Sequence, residues 1–133
     1  APSARTPVHD HQMWGLVGML RGSETSQRFV RDAVTGALTT GACATLSPGD
    51  VEVLRPFEGD IHRVTNALAD CGSLGIHVYG GNIGAVRRHT FDLETGRPNH
   101  FVSGYTNQTM PNLWDRSGEV RSAADTLHVP LGR

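Results

Sequence analysis

Apolar segments along this chain are short, and a glycine, proline or aspartate turn closes each one. No segment sustains a helical period, so the chain must build its core from many short strands. A first strand is expected over residues 12–20 (QMWGLVGML), before the turn RGSE. A second covers SQRFVRDA. TGALTTGA reads as a glycine-rich loop, and CATL as a short strand ended by SPGD, a strong turn. VEVLRP and IHRVTNAL are strands about a turn at FEGD, and LGIHVYG is a strand ended by Gly80 and Gly81. IGAVRRHTF and NHFVSGY flank DLETGRP. Residues 115–133 read as a short helix or an irregular tail. The pattern implies an all-β sandwich or small barrel.

With 133 residues, the chain is one domain's worth and can bury a core without staples. A formal net charge of -1 gives no electrostatic case for nucleic acid or an anionic membrane. No apolar run approaches the roughly 20 residues that span a bilayer. The two cysteines, Cys43 and Cys71, have neither metal nor redox spacing and are expected as free thiols of a reducing cytoplasm.

Seven histidines raise the question of a metal. In PVHDHQMWG, His9 and His11 stand at i, i+2, a spacing that places both imidazoles on one face of a strand. After His11 come three residues, Gly15, six residues and Gly22. This resembles the first cupin motif, H-x-H-x3-E-x6-G, with glycine in place of the glutamate ligand. GDVEVLRPFEGDIHRVTN resembles the second motif, G-x5-P-x-G-x2-H-x3-N, with one extra residue in each of the first two gaps. Gly49, Pro56, Gly59, His62 and Asn66 occupy its marked positions. The resemblance implies a cupin, a double-stranded β-helix or jelly-roll barrel, in which His9, His11 and His62 meet at one metal. Three neutral imidazoles leave the charge of a divalent ion uncompensated and leave coordination positions open. Such a site suits an anionic soft ligand such as a thiolate, together with dioxygen.

The stretches WGLVGMLRG, HVYG-x-NIGAVRRH and FVSGYTN…PNLWD carry a closer likeness. They resemble the cysteine dioxygenase-type thiol dioxygenases, and within them the bacterial 3-mercaptopropionate dioxygenase branch. The likeness covers most of residues 7–115. It implies Fe(II)-dependent oxidation of a small thiol, 3-mercaptopropionate or cysteine-like, to its sulfinic acid, with both atoms of O2 incorporated. His9, His11 and His62 fall on the iron ligands. His77 and Tyr79 fall on the last two members of a Ser-x-His-x-Tyr network, in which the tyrosine hydroxyl donates to substrate or oxygen and the histidine orients it. Gly75 stands at the serine position. Gly15 also stands where mammalian cysteine dioxygenases carry a cysteine crosslinked to the tyrosine, so no crosslink is expected. Arginine suits a substrate carboxylate, and alternation lets only one of Arg87 and Arg88 point inward. The resemblance favours Arg88. The family also has a mostly helical N-terminal segment carrying a substrate-selecting residue, whereas eight residues precede His9 here. A full-length form is therefore expected to be the more stable.

Other readings compete. A cupin isomerase or hydrolase would use another divalent metal as Lewis acid, and a non-enzymatic cupin sensor would keep only the fold. His89, His100 and His128 read as exposed strand or loop histidines, Trp14 and Trp114 as core or pocket wall, and RFVRD as a solvated strand face. The partners implied are a small thiol and O2, with no nucleic acid and no membrane; nothing fixes an oligomeric state.

Overall fold

A computed structural model describes residues 1–107 and 112–126. His128 and the end of the expected tail lie outside the described residues. Among the described residues, nine strands form two antiparallel sheets: β1 (Val8–His9), β2 (Gly15–Arg21), β3 (Glu24–Arg31), β4 (Leu38–Leu46), β5 (Val51–Leu54), β6 (His62–Asn66), β7 (Leu74–Tyr79), β8 (Arg88–Phe91) and β9 (Pro98–Phe101). The larger sheet has the order β4-β3-β6-β1-β8-β9, and the smaller is β5-β2-β7. The helix α1 (Ser117–Thr126) follows, and Asp115 caps it by accepting from the Ser117 N–H at 2.9 Å. The all-β expectation holds at this level. No helix among the described residues is long and apolar enough to cross a membrane.

The core lies between the sheets. Val17 and Met19 of β2, Leu54 of β5 and Leu46 of β4 form its buried cluster, and Tyr79 packs against it. Alternation places these side chains inward and their neighbours outward. The outer face of the smaller sheet is aliphatic too, with Leu16, Leu20, Val51, Val53, Leu74, Ile76 and Val78 all exposed.

Several boundaries differ from expectation. TGALTTGA is not a loop, because its last residues belong to β4, which runs unbroken into CATL. A bulge between Gln27 and Phe29 interrupts the β3–β4 register. There the Gln27 side-chain amide donates to the carbonyls of Gly41 and Ala42. Gly41 therefore marks close backbone approach at a bulge rather than a turn. Strand β8 begins only at Arg88, because Ile83–Ala85 form a single 3₁₀ turn. There Gly84 lies so close to the Tyr105 ring that a Cβ would collide with it. RFVRD is only partly solvated, since Phe29 is buried while Val30 is exposed. Trp14 and Trp114 are both exposed rather than in the core; the Trp14 indole lies so close to Gly80 that a Cβ there would collide with it. Cys43 and Cys71 are exposed free thiols.

Candidate metal centre

His9 ends β1, His62 begins β6, and the two are direct partners in the antiparallel ladder. His11 lies beyond the end of β1, so the expected i, i+2 strand spacing does not place it. It is held instead by a bend in which Gln12 has a positive φ of 60°, a conformation that costs a non-glycine residue about 1 kcal/mol or more. Two carboxylates hold that bend. Asp60 accepts from the N–H groups of His11 and Gln12, at 2.7 and 2.9 Å. Asp10 accepts from the Gln12 side chain at 2.6 Å.

The three rings meet with centroids 4.8–4.9 Å apart. One ligand atom from each lies within 4.8 Å of the others, in the only such group of three metal-ligating residues among the described ones. His11 and His62 are fully buried. Burial lowers the pKa of His9, and that of His62 falls to about 3 for the same reason, reinforced by the neighbouring histidines. Both are therefore neutral near pH 7, as ligation requires.

The hydrogen bonds behind the rings select one tautomer. His9 Nδ1 faces the Pro7 carbonyl at 3.0 Å, and His11 Nδ1 faces the Asp60 carboxylate at 2.7 Å. These oxygens only accept, so each ring donates from Nδ1 and leaves its Nε2 lone pair free. Burial pushes the Asp60 carboxyl up, but the three donors from His11 and Gln12 outweigh it and hold it ionised. His62 Nδ1 lies 3.1 Å from the Ser26 hydroxyl. A triad of neutral imidazoles with Nδ1 committed elsewhere fits a divalent transition ion and leaves its identity open.

Tyr79 of β7 stacks on His11, with ring centroids 5.6 Å apart, and its hydroxyl lies 3.2 Å from His77 Nδ1. Burial raises the Tyr79 pKa, against a smaller opposing effect of Arg88, so the hydroxyl keeps its proton. Gly15 pairs with Tyr79 across β2 and β7. A Cβ on Gly15 would approach the Tyr79 ring to 3.0 Å, so the residue that replaces the motif's glutamate also makes room for the tyrosine.

Of the two arginines, Arg88 is the one that points inward; it is 7% exposed. Its guanidinium lies 4.7 Å from the Phe101 ring and donates to the Ser103 hydroxyl at 2.8 Å. Its Nε has no partner, and no carboxylate pairs with it among the described residues. Its charge is felt at both His9 and Tyr79. His89 and His100 lie outside the triad, face to face across β8 and β9. His89 is a strand histidine but only partly exposed: Asp10 accepts from its backbone N–H at 2.7 Å and faces its Nδ1 at 2.7 Å.

Sequence reasoning missed Asp10, Asp60, Ser26 and Glu52. A signal existed for the first two: each sits one or two residues from a triad histidine, in HDH and GDIH; Asp60 is the acceptor behind His11, whereas Asp10 serves Gln12 and His89. No protein-family model matches the chain.

Proposed function

We propose that the chain is a cupin-type barrel that holds Fe(II) on His9, His11 and His62 and oxidises a small carboxylated thiol to its sulfinic acid with O2. The observation that carries the reading is Arg88, a buried arginine that no carboxylate among the described residues contacts, although the charges of Asp10 and Asp60 reach it, and whose own charge is felt at His9 and Tyr79. A buried cation is costly unless an anion accompanies it, and a substrate carboxylate meets that need bidentately. Metal and arginine together define a ligand with two anionic ends, a thiolate and a carboxylate, as 3-mercaptopropionate or cysteine has.

When bound, the iron supplies a site at which thiolate and dioxygen meet. The chain's residues do the rest. Arg88 orients the carboxylate. With His77 donating from Nδ1 to the Tyr79 oxygen, the tyrosine proton is free to point toward the reacting atoms. Tyr79 and the buried side of the triad limit water. The test is oxygen uptake by the Fe(II)-loaded protein with 3-mercaptopropionate, cysteine or cysteamine, with the sulfinate identified by mass. Uptake on the carboxylated thiols above cysteamine is expected. No uptake on any of the three would refute the reading and leave a Lewis-acid or sensory role for the triad.

A further inference from the structure

Glu52 is a carboxylate buried between the two sheets that none of the roles above uses. It projects inward from β5 and reaches across to β3. Its Oε1 accepts from the Ser26 hydroxyl at 3.1 Å and from Arg28 Nη2 at 3.0 Å. Its Oε2 has no hydrogen-bond partner and lies 4.0 Å from His62 Nδ1. Arg28 is itself anchored to the carbonyls of Gly59 and Val53.

The direction of the hydrogen bonds follows from the inventory of protons. An ionised carboxylate only accepts, so the single Ser26 proton points to Glu52. The Ser26 oxygen can then only accept from His62, so Nδ1 carries the ring proton and Nε2 presents its lone pair to the other two histidines. Were the Ser26 hydroxyl free to turn, it could donate to Nδ1 instead. The ring proton would then sit on Nε2, where an ion has to bind.

We infer that Glu52 is a positioning residue for the metal centre: acting through the Ser26 hydroxyl, it fixes His62 as the tautomer whose Nε2 faces the ion. This rests on the reading of the triad as a metal site, but not on thiol oxidation.

The test measures Co(II) and Zn(II) affinity by chelator competition, and the Co(II) visible spectrum, for the unaltered chain, Glu52→Gln, Ser26→Ala and the double variant. Folding of each metal-free variant is checked by circular dichroism. Each single variant is expected to weaken binding roughly 10- to 100-fold and to alter the Co(II) spectrum. Because the two residues act in series, the double variant should be no weaker than the weaker single. Ser26→Ala removes only a hydroxyl, so it reads the relay even if Glu52→Gln does not fold. Singles that bind within threefold of the unaltered chain with its spectrum, or losses that add in the double variant, would overturn the inference. An unaltered chain that binds neither ion would overturn it together with the metal site. Weakened variants in a protein that oxidises no thiol would uphold it and refute only the proposed reaction.

Discussion

Replacing Asp60 with asparagine removes one oxygen atom's worth of acceptor and tests the tautomer argument at its strongest point. The carboxylate serves three donors: His11 Nδ1 on one oxygen, and the backbone N–H groups of His11 and Gln12 on the other. Asparagine has a single oxygen. Leaving the buried His11 N–H unpaired would cost about 1–3 kcal/mol, and the part-buried Gln12 N–H less, so the amide oxygen should stay with them and turn its NH2 toward His11. The ring must then accept at Nδ1 and carry its proton on Nε2. Binding an ion requires reversing that tautomer against a facing donor. The loss is one hydrogen bond plus one buried unsatisfied group, about 2–3 kcal/mol, or roughly 30- to 150-fold in affinity. Chelator competition with Zn(II) at fixed pH and ionic strength measures it, with the exposed Glu58→Gln as a control for removing one charge. Nitrogen NMR of the metal-free protein reads the His11 tautomer directly. Asp60→Asn binding within threefold of the unaltered chain, or losing no more than Glu58→Gln, would refute the reasoning.

Arg88→Gln keeps a buried donor but loses the charge. It should raise KM for 3-mercaptopropionate roughly 10- to 100-fold, from about 1.5–3 kcal/mol per charged hydrogen bond, and leave cysteamine unaffected; equal effects on both thiols would refute a carboxylate role. Gly75→Ser should fit, because a Cβ there meets only ordinary contacts at 3.4–3.7 Å, one of them His77 Nε2. Its hydroxyl can bond that nitrogen and its Cβ removes glycine's freedom in a strand, so urea denaturation should show a gain of about 1 kcal/mol rather than a loss. The metal-free chain should be acid-labile. The His62 pKa falls to about 3, so the unfolded chain takes up a proton first, and stability present above the ordinary value near 6.5 is lost as pH falls toward 3. At pH 5 that loss is about 2 kcal/mol. His9 adds to it in the same direction, and Asp60 adds at lower pH. Denaturation midpoints that do not fall between pH 7.5 and 5 would contradict it.

The three histidines of the candidate site were legible because motif spacing records which residues share a site even when the local geometry is unusual. His11 reaches the triad through a strained bend at Gln12, not through strand alternation, yet the pattern still identified it. The acceptors behind the rings were not legible in the same way. Ser26 and His62 are 36 residues apart, and Ser26 and Glu52 are 26 apart; their meeting depends on β3 pairing β6 and on β5 lying in the opposite sheet. Strands were readable where alternation is clean, as in β2 and β7. They were misread where glycine means close approach, as at Gly41 and Gly84. The tryptophans were misplaced for a related reason: a bulky apolar residue usually finds the core, but the inward positions near the triad are taken by polar side chains.

That displacement sets the stability of the chain. Buried Asp10, His11, Ser26, Glu52, Asp60, His62 and Arg88 share the interior with, among the described residues, six buried hydrophobic side chains. Metal-free, this polar region holds three imidazole rings packed against one another, with little apolar burial to offset the loss of hydration. An ion that binds the folded chain and not the unfolded one adds RT ln(1 + [L]/Kd), about 4 kcal/mol at a thousandfold excess over Kd. For a chain of this length that corresponds to a Tm rise of roughly 12–20 °C. Calorimetry with and without saturating Zn(II) measures the rise. His11→Ala should abolish most of it, while Phe57→Ala, a truncation at a fully exposed position, should not. A rise below about 3 °C at saturation, or one that His11→Ala preserves, would show that the histidines are not the ion's ligands and that the polar interior is held together by its own hydrogen bonds.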